Sequence, residues 1–255
     1  METPLIEFRD VTKRFGDRTV LDQVNLEIYE NQITTIMGKS GAGKSVLLKH
    51  IIGLLLPDAG TILFRGKPVS KMRKGRWNRY RSKISYLFQN NALFDSMTVF
   101  DNVALPLRQT TTMSSKEIDE KAMARIEQTD LTEAAFRYPS ELSGGMQKRV
   151  GLARAMAADP EIIFFDEPTT GLDPIMADVI NNLIVDTVKD TGATTLSITH
   201  DLVSARKIAD RIAMLYKGKI IWDGPTSEID KSGNPYVEQF INARAEGPIQ
   251  MEVRG

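Results

Sequence analysis

The stretch Gly38-Lys39-Ser40-Gly41-Ala42-Gly43-Lys44-Ser45 constrains this chain more than any other. Its spacing, a Gly, four residues, then Gly-Lys-Ser, is that of a phosphate loop. Ahead of it, Gln32-Ile33-Thr34-Thr35-Ile36-Met37 is β-branched and apolar, as a buried strand requires. Behind it, Val46-Leu47-Leu48-Lys49-His50-Ile51-Ile52 reads as a helix packed on that strand. The bland alternative is a glycine-rich turn that binds nothing. The strand and helix on either side speak against it.

The residue types fit a polyanion. Gly41 and Gly43 let the backbone curl with its N–H groups inward. A helix starting near Lys44 adds free amides and partial positive charge at the same spot. Lys44 brings a full charge for β- and γ-phosphates, and the Ser45 hydroxyl suits Mg²⁺.

The chain has 255 residues, room for one large α/β domain or a domain carrying an inserted subdomain. Hydrophobic residues make up 42%, enough for a sizeable core. Lys plus Arg and Asp plus Glu both number 33, which argues against nucleic-acid binding through bulk charge. The absence of cysteine removes disulfides, thiolate metal sites and cysteine nucleophiles. Two histidines, His50 and His200, leave no histidine-rich metal site. The first seven residues are acidic and lack the apolar core of a signal peptide. The longest apolar run, Ile51 to Leu56 around Gly53, is too short to span a bilayer. A soluble, intracellular protein is therefore expected, with any membrane role supplied by a partner.

Alternation predicts strands at Leu5 to Val11, Val24 to Ile28 and Thr61 to Arg65, a small antiparallel sheet beside the phosphate-loop strand. Phe15, before Gly16, is expected in the loop between the first two strands, as a base-stacking ring or a local packing residue. Lys71 to Lys83 is strongly basic, with Trp77 and Tyr80 interleaved. That mix suits nucleic acid, but a solvated helical connection with inward-facing aromatics is preferred. Ile84 to Phe88 is a strand closing on Gln89. From Asn90 to Pro160 the pattern is helical, with a capping box at Ser114-Ser115-Lys116-Glu117, and reads as an inserted helical subdomain. Glu161 to Phe165 is an apolar strand ending in Asp166-Glu167-Pro168, and Ala193 to Thr199 another, ending at His200. Pro174 to about Asp190 is helical, and Arg211 to Trp222 is a hairpin turning at Lys217-Gly218. The tail carries a helix over Pro235 to Ala245, then a loose end. The expected domains are 1–232 and a tail, 233–255.

A phosphate loop alone leaves kinases, GTPases and motor ATPases open. Further features narrow the choice. Asp166 and Glu167 follow a buried strand, where one carboxylate reaches a Mg²⁺ shell and its neighbour an attacking water. Leu142-Ser143-Gly144-Gly145-Met146 precedes a second helix and offers a second anion site. Gln89 and His200 stand at strand ends as neutral polar groups.

Together these resemble the ATP-binding subunit of an ABC transporter over nearly the whole chain. Gly38 to Ser45 is similar to Walker A, Ile162 to Glu167 to Walker B, Gln89 to the Q-loop and Leu142 to Met146 to the family signature. Gly171-Leu172-Asp173 is similar to the D-loop, His200 to the switch histidine and Phe15 to the adenine-stacking aromatic. The resemblance implies a P-loop NTPase (RecA-like) α/β core with an antiparallel β subdomain and an inserted α-helical subdomain. It implies a homodimer, each ATP held by Phe15, Gly38, Lys39, Ser40, Gly41, Ala42, Gly43, Lys44, Ser45 and Val46 of one copy. Ser143, Gly144 and Gly145 of the other copy cap it. Mg²⁺ falls to Ser45, Gln89 and Asp166, and turnover to Glu167, His200, Lys44 and Gln89. Met146 stands where the usual signature has Gln, and Lys39 adds a charge of unassigned role.

A finer resemblance is to the ATPases of phospholipid transporters that work with MCE-domain proteins, the maintenance-of-lipid-asymmetry type. Ser45 to Leu55, Leu142 to Arg154 and Gln239 to Ile249 carry it, and Met146 becomes a mark of that group. It implies a peripheral subunit on the cytoplasmic face of a bacterial inner membrane. The implied partners are a permease docked beside Gln89 near Leu87, Phe88, Leu93 and Phe94, a STAS-domain subunit on the helical subdomain and an MCE-domain protein. The tail helix either reaches the second ATPase or is a dispensable end. The alternatives are a transporter of another substrate and, more remotely, a soluble ABC ATPase acting on nucleic acid or ribosomes. Against the last stand the single cassette, the missing heptads and the missing cysteines.

Overall fold

A computed structural model describes residues 3–72 and 74–250, with the side chains of Lys71, Lys74 and Arg76 outside the description. Arg73, half of the basic run's other charges and the last five residues of the tail therefore carry no structural statement. Along the chain come β1 (Ile6–Phe15), β2 (Arg18–Ile28), β3 (Ile33–Met37), α1 (Lys44–Ile51), β4 (Ala59–Phe64), β5 (Lys67–Pro68), α2 (Lys74–Arg81) and β6 (Ile84–Leu87). Then follow α3 (Val99–Thr110), α4 (Ser115–Gln128), α5 (Gly144–Met156), β7 (Ile162–Asp166) and α6 (Pro174–Thr191). The chain ends with β8 (Thr194–Thr199), α7 (Leu202–Ile208), β9 (Arg211–Tyr216), β10 (Lys219–Pro225) and α8 (Pro235–Ile241). These fall into two compact units. One is Met1–Tyr29, Thr34–Ser70 and Thr199–Gly255; the other is Glu30–Ile33 and Lys71–Ile198.

The first unit holds an antiparallel sheet in the order β2-β1-β4-β5. Alternation sets its buried face: Phe8 sits opposite Leu26 on one side and Ile62 on the other. β1 runs on to Phe15, beyond the expected end at Val11, because register shifts after Phe8 re-aim the strand. Phe15 is thus the last residue of a strand, paired with Arg18, and not a loop residue; Gly16 (φ +57°) makes the turn. Gly60 lies under that irregularity, where a Cβ would stand 2.3 Å from the Asp10 carbonyl oxygen. In the same unit β3 runs parallel to β9, which pairs antiparallel with β10 through the Lys217-Gly218 turn. α7 was not expected. Seven residues give too few repeats for periodicity to show, and Asp201 caps it by accepting from the Val203 and Ser204 N–H groups.

The second unit holds the parallel run β6-β7-β8, with Ile84 beside Ile162 and Ile162 beside Thr194. Ile162, Ile163, Phe164 and Phe165 are all buried, the signature of a strand covered on both faces. Each buried phenylalanine contributes roughly 1.5–3 kcal/mol of transfer free energy. Helices α3, α4 and α5 share one core built from Val103, Leu107, Ile126, Leu131 and Val150 among others. The box at α4 forms: Ser114 Oγ accepts from the Glu117 N–H, and Glu117 accepts from the Ser114 N–H. In α2, Tyr80 is buried and stacks on half-buried Trp77, ring centroids 5.3 Å apart, with the Arg81 guanidinium 5.0 Å over Trp77. These aromatics are engaged with one another, in keeping with the helical-connection reading.

Candidate active site

In the first unit, fully buried β3 delivers the chain into the loop Gly38–Gly43, and α1 starts at Lys44. Two glycines are required by close approach. A Cβ on Gly38 would lie 2.3 Å from the Leu215 carbonyl oxygen, and one on Gly43 would lie 3.0 Å from that of Val20. Gly43, at φ +106°, is the N-cap of α1 and offers no side-chain acceptor to the amides behind it. No acidic residue stands in the first turn of α1, so its amides and its dipole are left for an anion. Lys44 is buried, and its ammonium donates to the carbonyls of Gly38 at 2.7 Å and Lys39 at 3.2 Å. It closes the loop into a ring while carrying its charge to the concave side. Ser45 is exposed at the start of the helix and Val46 partly buried behind it. This cradle fits a phosphate chain.

Phe15 is 47% exposed, with the Lys13 ammonium 5.6 Å from its ring centroid, so the ring is not committed to the core. The two histidines part company. His50 is 1% exposed, its Nδ1 lies 2.7 Å from the Val46 carbonyl oxygen, and burial depresses its pKa. His200 stands exposed just after β8.

The second unit carries the carboxylates. Parallel pairing sets Tyr86 beside Phe164, and Asp166 is on the same face two residues on. The Tyr86 hydroxyl accordingly donates to Asp166 Oδ2 at 2.9 Å. Burial and the Asp166 charge push the phenol well above its usual pKa, so it stays a donor. Glu167 has φ +51°, a left-handed backbone that costs a non-glycine residue about 1–2 kcal/mol. The Glu167 N–H donates to Ile198 O at 2.9 Å, and the Thr170 hydroxyl donates to Glu167 Oε2 at 3.1 Å. The sharp turn sends the adjacent carboxylates in different directions.

Ser143 is the N-cap of α5, its Oγ accepting from the Met146 N–H at 3.3 Å. Gly144 has open space around it, whereas a Cβ on Gly145 would meet the tip of Met176 at 2.6 Å. Farther along, Gly151 lets α5 close on β6: a Cβ there would lie 2.7 Å from Leu87. One turn back from that contact, buried Lys148 donates its ammonium to the Gln89 carbonyl oxygen. Its pKa is lowered by burial and supported by the charges of Asp166 and Glu167. Lys148 thus ties α5 to Gln89 at the end of β6, within the field of the carboxylate pair.

Tyr86 and Lys148 were not anticipated from the sequence. Parallel pairing puts residue 86 level with 164, a placement that no local pattern in the sequence carries. Lys148→Met is expected to leave nucleotide affinity within about two-fold while lowering turnover about ten-fold. It strands the Gln89 carbonyl at a cost of roughly 1–3 kcal/mol. Equilibrium ATP binding, phosphate release and a thermal melt check the three parts.

The relatives give the family. Residues 21–170 match the family described as ABC transporter. The intermembrane phospholipid transport system ATP-binding protein MlaF of Escherichia coli K12 is 40% identical over 245 residues, 96% of this chain and 91% of that protein. The probable ribonucleotide transport ATP-binding protein mkl of Mycobacterium leprae is 39% identical over 246 residues, 96% of this chain and 71% of that one. A dimeric ATP-binding cassette in a post-hydrolysis state bound to ADP and Pi superposes with a TM-score of 0.78. It is 32% identical, covering 87% of this chain and 98% of that one. The chain belongs to the ABC transporter family and is an ATP-hydrolysing cassette of it. Such cassettes bind ATP, dimerise and work with membrane permeases.

Proposed function

We propose that this cassette hydrolyses Mg-ATP as a homodimer and drives a permease that moves phospholipid between inner and outer membranes. The observation that supports this cargo is the likeness to the intermembrane phospholipid transport ATP-binding protein, 40% identical over 245 residues. The ribonucleotide name on the second relative makes another cargo the runner-up.

In this reading the first unit binds the nucleotide. Phe15 takes the base, Gly38 to Val46 the phosphates with Lys44 as their cation, and His200 contacts the γ-phosphate. Asp166 and Gln89 are assigned to Mg²⁺, Glu167 to the water, and Ser143, Gly144 and Gly145 to the ATP of the other copy. Mg²⁺, when bound, neutralises phosphate charge. Among the described residues no group of three or more His, Cys, Asp and Glu forms a dedicated cage. A Mg²⁺ held by one carboxylate, a hydroxyl and phosphate oxygens needs none. Tyr86→Phe is expected to raise the Mg²⁺ concentration for half-maximal turnover about three- to ten-fold, the worth of one lost hydrogen bond. ATP binding measured in EDTA should not change.

No helix among the described residues is long and apolar enough to cross a membrane. We place the subunit peripherally on the cytoplasmic face of the inner membrane, held by the permease. A STAS-domain subunit and an MCE-domain protein complete the complex, and nucleic acid has no part in it. Purification from membranes under mild detergent tests this. A permease, an MCE-domain protein and bound phospholipid should accompany the chain, and its ATPase should respond to added phospholipid. Response to ribonucleotides alone would favour the runner-up, and recovery with ribosomes or DNA would sink both.

A further inference from the structure

Residues 242–250, which follow α8, return to the phosphate loop. Buried Gln239 latches them. Its Nε2 donates to the carbonyls of Arg244 at 3.2 Å, Ala245 at 3.4 Å and Ile249 at 3.1 Å. Its Oε1 accepts from the Ile249 N–H at 2.6 Å. Gly247, at φ +151°, packs against that amide so closely that a Cβ would lie 2.4 Å from Gln239 Cδ. Ile249 is 4% exposed in a cluster with Met37, Met214 and Val237. Met37 is the last residue before the loop. The next residue, Gln250, then meets the loop: Lys39 Nζ donates to its carbonyl oxygen at 3.5 Å.

A cavity of about 460 Å³ opens at this place, with Lys39 to Ala42 on one side, Arg18 and Lys217 on others, and Gln250 closing it. That volume suits a small ligand. Arg18, Lys39 and Lys217 give it cationic groups, and among the described residues no acidic one lines it. It shares Lys39 to Ala42 with the phosphate loop.

We propose that the segment Arg244–Gln250 is a wall of the nucleotide cavity of its own chain, latched by Gln239 and joined to the loop through Lys39, and that it tightens ATP binding. This rests on Gly38 to Ser45 being the phosphate loop. Gln239 and Lys39 act as positioning residues, and the extra loop charge gains a role: it fixes the loop's first turn to the tail.

The test is an equilibrium ATP titration of the full chain without Mg²⁺. Gln239→Leu unlatches the wall but keeps an apolar-compatible volume, and Lys39→Gln cuts the tie from the other side. Each is expected to weaken ATP binding about five- to ten-fold, the worth of one net hydrogen bond. For Gln239→Leu, which lies outside the phosphate loop, turnover at saturating ATP should stay within about two-fold, and the pair together should weaken binding no more than either alone. Unchanged affinity in both variants, or effects that multiply, overturns the proposal. Lys44→Ala serves as the reference: if it still binds ATP, the phosphate-loop assignment itself fails, a different outcome from the first.

Should Gln239→Leu not fold, the absence of native cysteine supplies a second measurement. Lys39→Cys with Gln250→Cys, treated with a short bismaleimide, should cross-link within one chain and keep monomer mass on a denaturing gel. A doubled mass, or no product, overturns the wall in its own chain.

Discussion

Glu167→Gln is expected to lower ATP turnover by about two to three orders of magnitude, within the range a positioned general base supplies. ATP binding should survive, because the phosphate cradle is built from Gly38, Gly43 and Lys44 and does not involve the carboxylate. The dimer should then accumulate with ATP trapped in it, seen as a doubled mass by light scattering. The amide is isosteric and keeps an oxygen for the Thr170 hydroxyl, so the strained turn at φ +51° should hold. A merely structural Glu167 would show as a stability change without a rate change. Turnover within ten-fold of the parent would remove it from the chemistry.

The second large effect needs two defective chains. Lys44→Ala removes the buried ammonium that closes the loop, and Ser143→Ala removes the hydroxyl that caps α5. Each homodimer has two identical faulty sites and is expected to be inactive. In the proposed dimer each loop meets the Ser143 end of the opposite copy's α5, so a mixed dimer would have one site carrying both faults and one carrying neither. Equal mixing makes half the dimers mixed, and the mixture should recover about a quarter of parental turnover if sites work independently. Recovery near zero would mean that each site is complete within one chain, or that both must fire together. ATP trapping in the mixture separates these. A site confined to one chain traps none beyond what the separate homodimers do, whereas obligate coupling still allows mixed dimers to trap ATP at their intact site.

Local chemistry made much of this legible. The strand, loop and helix around Gly38–Ser45 follow from residues within a dozen positions of one another, and so does the Ser114–Glu117 box. Uninterrupted apolar character marked β7. What stayed hidden depends on distant partners. Tyr86 meets Asp166 across 80 positions and Lys148 meets Gln89 across 59, and neither spacing leaves a local trace. β1 outran its alternating pattern because its irregular register breaks the period of two. The tail read as loose because Gln239, a polar residue in a short helix, satisfies itself on backbone groups up to 10 positions away.

The first unit is stitched from the opening, an early and the closing stretch of the chain. Ile249 shares a cluster with Met37, so that cluster lacks a member until residue 249 has been made. Synthesis at about 5–20 residues per second leaves Met37 waiting on the order of ten seconds or more for its cover. A nascent chain stalled before Ile249 would leave the apolar end of β3 without that partner.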